Sequence, residues 1–247
     1  MKLITLNTFG GTVYDPLLQF LRSHQNVDVF CFQEVWHNAA GRTEHLDLEA
    51  TPDENLFVTI GEQLPNHQGF FRPHAEDFYG LAMFINKSFP IFEEGETFVY
   101  LYKGFIPSND LGNHARNIQF IQTEQNKKPI AVINFHGLWN GKGKTDTPER
   151  LEQSKKVLDH LKTISGDVVL CGDFNLSPNT ESIKMFEDFG LRNLIKEYGI
   201  TSTRTSLYEK ENKFADYIFV SPGITVTDFK VLPDEVSDHA PLYLEFA

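Results

Sequence analysis

Short apolar runs recur along this chain, and most of them end on a polar side chain. Val168-Val169-Leu170-Cys171 runs into Gly172-Asp173-Phe174-Asn175, with Pro178 just beyond. An unbroken apolar run bounded by Gly and Pro predicts a strand buried on both faces. With period-two geometry, Asp173 and Asn175 point to the same side. Leu3 to Leu6 ends on Asn7, Val27 to Phe32 closes on Gln33-Glu34, and Ile130 to Phe135 terminates in His136-Gly137. Phe70-Phe71, Leu81 to Ile85 and Phe98 to Tyr102 read as strands of a meander, separated by Pro73, Asn86-Lys87 and Glu93 to Glu96. Arg116 to Thr123 alternates around Ile118, Phe120 and Ile121. Further strands are predicted for Phe214 to Val220, with Asp216 in its first half, for Thr225 to Leu232, and for Pro241 to Phe246 after Ser237-Asp238-His239.

Helical spacing appears between these runs. Tyr14 to Ser23 carries Leu17, Leu18 and Leu21, with Asp15-Pro16 as a start signal. Glu54 to Leu64 is a second helix. Thr147 supplies an N-cap, Pro148 the first helical position and Glu149 an early acid, after which Leu151, Ser154, Leu158 and Leu161 share one face. A fourth helix follows Pro178, packs Ile183, Phe186 and Phe189, and ends at Gly190. Trp36 to Pro52, bearing His37 and His45, and Pro107 to Asn113 read as loops. Gly141-Lys142-Gly143-Lys144 reads as a flexible basic loop, solvated or in contact with a substrate phosphate. Ile200 to Lys213 is a polar loop of the kind that shapes a substrate mouth. No repeat or linker divides the sequence, so one domain over residues 1–247 is expected.

Composition narrows the classes. Hydrophobic residues make up 40% of the chain and 22 of them are Phe, which gives ample material for an aromatic core. A net charge of -12 disfavours a protein that holds nucleic acid by neutralising many phosphates. It does not exclude chemistry on a phosphate, because a bound divalent cation reverses the local field. The two cysteines, Cys31 and Cys171, lie inside apolar runs and are too few for a disulfide scaffold. There is no long apolar segment near Met1 or later, and a cytoplasmic protein is expected.

The strand-end groups are the candidate chemistry. Asn7, Glu34, His136, Asp173, Asn175, Asp216, Asp238 and His239 come from separate places, nearly all at or beside the ends of predicted buried strands. Mixed sheets covered by helices gather strand ends at one rim, where these groups can converge. Carboxylates and amides are the oxygen ligands that a hard cation such as Mg²⁺ prefers. Taken singly, each also has a structural reading: Asp, Asn, Ser and Pro are turn formers. Arg116 is a candidate phosphate partner or a salt-bridge residue. His24, His67, His74 and His160 are expected at the surface, and His114 is a candidate to line the site.

Asn7 in Leu-Asn-Thr, Gln33-Glu34, His136-Gly, Gly172-Asp-Phe-Asn175, Asp216-Tyr-Ile-Phe-Val-Ser221 and Ser237-Asp-His239 resemble, in order and spacing, the endonuclease/exonuclease/phosphatase superfamily, whose fold is like that of pancreatic deoxyribonuclease. The resemblance implies an α/β fold, a four-layered α/β sandwich of two packed mixed sheets flanked by helices. It implies Mg²⁺-dependent cleavage of phosphate esters, with Mn²⁺ as a substitute. By resemblance Glu34 is the principal metal ligand, with Asn7 beside it and Asp238 supporting. Asp216 and His239 form a carboxylate-imidazole pair, and Asp173 positions or deprotonates the attacking water. His136 and Asn175 stabilise the phosphorane oxygens, and the expected phosphate-binding residues are His136, Asn175 and His239, with Arg116 as a candidate on its own chemistry. Two departures bear on the substrate. Phe9 stands where members acting on abasic DNA carry an acid, and His136 stands where they carry Asn, which points away from abasic-site repair. The basic residue usual two positions before Asp216 is replaced by Phe214, with Lys213 as its possible substitute. The alternatives are a DNA or RNA endo- or exonuclease, and a non-catalytic binding module of the same fold. The expected partner is a phosphate-ester substrate, nucleic acid included.

Overall fold

The computed structural model describes residues 1–43, 50–106 and 113–247. Two six-stranded mixed sheets pack face to face, with helices on their outer sides, which makes the four-layered sandwich expected from the sequence. The elements follow the chain as β1 Lys2–Asn7, α1 Tyr14–Ser23, β2 Val29–Trp36, α2 Leu56–Gln63, β3 His67–Ala75, β4 Tyr79–Asn86, β5 Glu93–Tyr100, β6 Arg116–Gln125, β7 Lys128–His136 and α3 Pro148–Leu161. They continue as β8 Asp167–Asp173, α4 Glu181–Asp188, β9 Arg192–Asn193, α5 Leu194–Glu197, β10 Asp216–Val220, β11 Val226–Val231 and β12 Leu242–Phe246. One sheet has the order β11-β12-β1-β2-β4-β3 and the other β5-β6-β7-β8-β10-β9.

Alternation along the strands builds the layers. Leu3, Val29, Cys31, Met83 and Ile85 face the partner sheet and join the core that Ile118, Val132 and Leu170 contribute from the other side. Their neighbours Ile4, Leu6, Phe30, Phe32 and Phe84 face outward onto Leu17, Leu21, Leu56 and Ile60 of α1 and α2. Val157, Leu158 and Leu161 of α3 and Ile183 and Phe186 of α4 extend the larger core on the other flank. Thr147 caps α3 as its sequence predicts, its hydroxyl accepting from Arg150 N. Cys31 and Cys171 are buried free thiols.

Pairing direction then sets the rim. β1 and β2 are parallel, as are β7 and β8, so Asn7 and Gln33 are register partners, and so are His136 and Asp173. β10 runs antiparallel to β8, which puts its first residue, Asp216, opposite the last, Asp173. β12 runs antiparallel to β1, so the segment entering β12, with Asp238 and His239, arrives at the same edge. The carboxyl ends of the parallel pairs and the amino ends of their antiparallel neighbours thus share one rim.

Several local expectations change. The three runs expected as one meander divide between the sheets: β3 and β4 pair in one, while β5 pairs with β6 in the other. Glu93 to Glu96, expected as a connector, lie within β5, because the edge of a sheet tolerates charge. Pro73, expected to break a strand, lies inside β3, an edge strand where a missing N–H costs no ladder bond. The dipeptide β9 and the single-turn α5 were not expected. His45 and most of the expected loop over 107–113 lie outside the described residues. No helix among the described residues is long and apolar enough to cross a membrane.

Candidate active site

The site is assembled around Asp173, and its backbone demands glycine. Gly172 has φ 136°, and a Cβ there would lie 2.0 Å from the carbonyl oxygen of Phe135. The strand pairing that brings Asp173 beside His136 therefore admits only glycine at 172. Asn175 and Glu34 both adopt left-handed backbone, φ 54° and 58°, and Glu34 sits at a break in register between β2 and β4. Such conformations cost on the order of 1–3 kcal/mol and collect where a side chain must be re-aimed.

Hydrogen bonds fix each carboxylate. Asn7 Nδ2 donates to Glu34 Oε1 at 2.9 Å and to Asp173 Oδ2 at 3.0 Å, while the Phe9 N–H donates to Asn7 Oδ1. Asn7 therefore turns its amide nitrogen, not its oxygen, toward the carboxylates. The backbone N–H of Asn175 donates to Asp173 Oδ1 at 2.8 Å, and Asn175 Nδ2 donates to Gly137 O. Asp216 holds His239 Nδ1 at 2.8 and 2.9 Å and accepts from the Thr203 hydroxyl. That leaves His239 Nε2 facing Asp173 Oδ2 at 3.6 Å and Asp238 Oδ1 at 3.8 Å. Across the site, His136 Nε2 stands 3.8 Å from Asp173 Oδ2 and 3.9 Å from Glu34 Oε1, beyond direct hydrogen bonding.

Burial and neighbouring charge separate the protonation states. Burial alone would raise the Asp173 carboxyl, but His239, Arg204 and Lys144 outweigh it, and its pKa falls below the usual value. Burial lowers His239, yet the Asp216 carboxylate, with Asp173 and Asp238, lifts it above an ordinary histidine. His136 is driven well below that range by burial and by the Arg116 cation, so its imidazole is neutral. Glu34 is raised, chiefly by burial, with Asp238 and Asp173 adding repulsion. Neighbouring charge thus favours the ionised form of Asp173 and the protonated form of His239, while burial favours the neutral form of His136 around the same space. Asp173, Asp216 and His239 offer donor atoms all within 4.8 Å of one another, though His239 Nδ1 is already committed to Asp216. Glu34 and Asp173, with Asp238 nearby, are hard oxygen donors whose mutual repulsion a divalent cation relieves, so the residues present fit such an ion.

A cavity of about 360 Å³ opens here, with Glu34, Asp173, Asn175, His136, Asp238 and His239 in its lining. The structure brings the sequence-predicted residues together, with Asn7 and Asp216 directly behind the lining groups. Arg116 also lines the cavity, buried, its Nη1 donating to His114 Nε2 at 2.6 Å. His114 lines it too.

Two expectations are corrected. His74, expected at the surface, is fully buried and stacks on His114 with 4.9 Å between centroids, and burial and Arg116 lower it to about 3. His67 is buried as well, bonded to Val27 O, while His24 and His160 are half-buried. The polar residues around each disguised these positions. Of the two readings of the loop over 141–144, the solvated one fails for Lys144, which is 6% exposed, lines the cavity and donates to Phe214 O at 2.8 Å. Lys213 turns away to Tyr208 O. Sequence reasoning also missed Arg204, whose Nη1 donates to Asp238 Oδ2 at 2.6 Å. It lies in a polar segment without periodicity, and nothing in the pattern marks it.

The model of the Endonuclease/Exonuclease/phosphatase family matches residues 4–239. No curated protein matches the sequence. Among solved structures, a mannosyl-6-phosphatase from Bacteroides thetaiotaomicron superposes with a TM-score of 0.77 at 18% identity, covering 100% of this chain and 99% of that one. A conserved protein of unknown function from Enterococcus faecalis gives 0.74 at 20% identity, over 100% and 99%. The human Nocturnin catalytic domain, with a bound sulfate, gives 0.66 at 18% identity, over 100% and 93%. At these identities the likeness is one of fold.

Proposed function

The chain belongs to the endonuclease/exonuclease/phosphatase family, and from that premise we propose that it is a divalent-metal-dependent hydrolase of phosphate esters. The observation that carries this reading is the set of contacts on Asp173. One buried, ionised carboxylate receives Asn7 and the Asn175 N–H, and faces His136 at 3.8 Å and His239 at 3.6 Å.

Each residue then has a role that its geometry allows. Glu34 is the principal ligand of Mg²⁺, or of Mn²⁺ in its place, and Asp238 supports that side. Asn7 aims Glu34 and Asp173 with its amide nitrogen. When bound, the cation screens phosphate charge and stabilises the leaving oxygen. Asp173 orients water and accepts its proton, as an ionised carboxylate can. Asp216 fixes the tautomer of His239, which binds a phosphate oxygen as a cation. Asn175 and the neutral His136 donate to the charge that develops on the phosphorus oxygens. Arg116 adds positive potential from below and holds His114.

The cavity favours a small substrate over a nucleic acid. Its volume lies at the lower end of small-molecule sites, one flank is apolar with Phe9, Trp36 and Phe78, and the chain's net charge is -12. A panel of sugar phosphates, aryl phosphomonoesters, phosphodiesters and oligonucleotides, assayed for release with Mg²⁺, with Mn²⁺ and with chelator, tests the reading. Release that vanishes with chelator and returns with either ion is expected. Release indifferent to chelator, or none across the panel, contradicts it.

A further inference from the structure

We propose that the wall of the cavity formed by Lys144, Arg204, Lys210 and Tyr208 is a subsite for a second anionic group of the substrate, a phosphate or a carboxylate beside the ester that is cleaved. This rests on the phosphoesterase reading above. Distant segments bring cations to one aromatic ring: Arg204 Cζ lies 4.1 Å, Lys144 Nζ 5.1 Å and Lys213 Nζ 5.4 Å from the Tyr208 centroid. The ring attracts each cation, but like charges gathered around it repel one another. Among the described residues, Arg204 alone of this group has a carboxylate partner, Asp238. The ammonium groups of Lys144 and Lys213 bond to neutral main-chain carbonyls, those of Phe214 and Tyr208. Asp173, Asp216 and Asp238 lie near enough to act on Lys144, so the wall's charge is partly balanced, and its surplus lies in the two ammonium groups that bond only to neutral carbonyls.

Lys144 is planted there by its loop. Arg150, buried, donates from Nη1 to the carbonyls of Gly143 and Thr145, at 2.6 and 2.5 Å, and from Nε to Leu138 O. These bonds clamp the residues on both sides of Lys144 and the start of the loop. A buried ammonium with three donors and one carbonyl partner is unfavourable unless an anion meets it. Arg204 repeats the pattern: its buried Nε has no partner among the described residues, and its side chain lines the same cavity. Lys210 lines it too, from the exposed side. Phe9, Trp36 and Phe78 also line the cavity, and they bring no charge to it. A substrate whose ester lies at Asp173 and His239 thus has Lys144, Arg204 and Lys210 within the same cavity to meet a second anion.

The test is calorimetric binding to the whole protein with Ca²⁺ in place of Mg²⁺, using probe pairs that differ by one anion. Fructose 6-phosphate against fructose 1,6-bisphosphate adds a phosphate, and glycerol 3-phosphate against 3-phosphoglycerate adds a carboxylate. The added anion is expected to tighten binding at least about tenfold in one pair, which identifies the anion, as charge-assisted hydrogen bonds allow. Lys144→Met and Lys210→Met, the second at an exposed position that tolerates change, are expected to bring that ratio below about threefold. Equal binding within both pairs, no binding of any probe, or a ratio unmoved in both variants overturns the subsite. Turnover with Mg²⁺ is measured separately. Turnover with equal binding removes the subsite alone, whereas a preserved ratio without turnover of any phosphoester removes the hydrolase reading and leaves the subsite.

Discussion

Residue by residue, burial sets opposite charges side by side at the rim. His239 was legible from its place after Ser237-Asp238, but its state depends on Asp216, which only the pairing of β10 with β8 brings to it. His239→Ala is expected to lower kcat/KM by about 10²–10⁴ with the fold retained, as loss of a positioned acid-base or cationic group does. Steady-state assays beside circular dichroism check this. His74 makes a different prediction, about stability. Its folded pKa, about 3, lies below the unfolded value of 6.5, so the unfolded chain binds the extra proton between them. The stabilisation is complete above pH 6.5 and is lost as pH falls toward 3. At pH 5 the loss from this residue is roughly 2 kcal/mol. Urea midpoints against pH should show it, and His74→Asn should flatten the slope. A slope unchanged by the substitution would show that His74 is not kept neutral by the fold.

At the scale of elements, what the sequence made plain was the set of strands whose apolar runs are buried on both faces. Edge strands were obscure because exposure on one side admits Pro73 in β3 and Glu93 to Glu96 in β5. The left-handed turn at Glu34 leaves no mark in the sequence, whereas Asn175 is of a type that tolerates such backbone without requiring it. Gly172 is different: its strand needs a bare Cα, and Gly172→Ala is expected to cost at least about 3 kcal/mol, from backbone strain and the clash with Phe135 O. The clamp on the loop before α3 gives a second element-level expectation. Arg150→Met strands three carbonyl acceptors and should lower stability by roughly 3 kcal/mol. Urea unfolding of both variants reads the losses, and wild-type midpoints would contradict the close packing described.

At the scale of the whole molecule, convergence on one rim follows from topology. The chain's first and last strands pair, Lys2 opposite Glu245, and the amino terminus donates to Phe246 O at 2.6 Å. Polar bridges tie the sheets: Gln33 Nε2 donates to Asn134 Oδ1 at 2.6 Å, and Asn134 Nδ2 to Phe32 O and Ala82 O. With the ends joined and the sheets interlocked, unfolding is expected to be a single transition, with near- and far-ultraviolet signals coincident in urea. Separate midpoints would mean that the halves fold apart. The rim was legible as a list of strand-end groups, and its assembly as a family resemblance. Lys144 was legible only as part of a basic loop, and Arg204 was not marked at all, because both sit on irregular segments held by hydrogen bonds from distant residues. Asp173 is where all these contributions meet. The most direct measurement is kcat/KM for Mg²⁺-dependent phosphate release by the wild type and by Asp173→Asn, which keeps the side chain's shape and removes its charge. A drop of at least about 10³ with an unchanged circular dichroism spectrum is expected. A folded Asp173→Asn enzyme within about tenfold of the wild type would contradict the account.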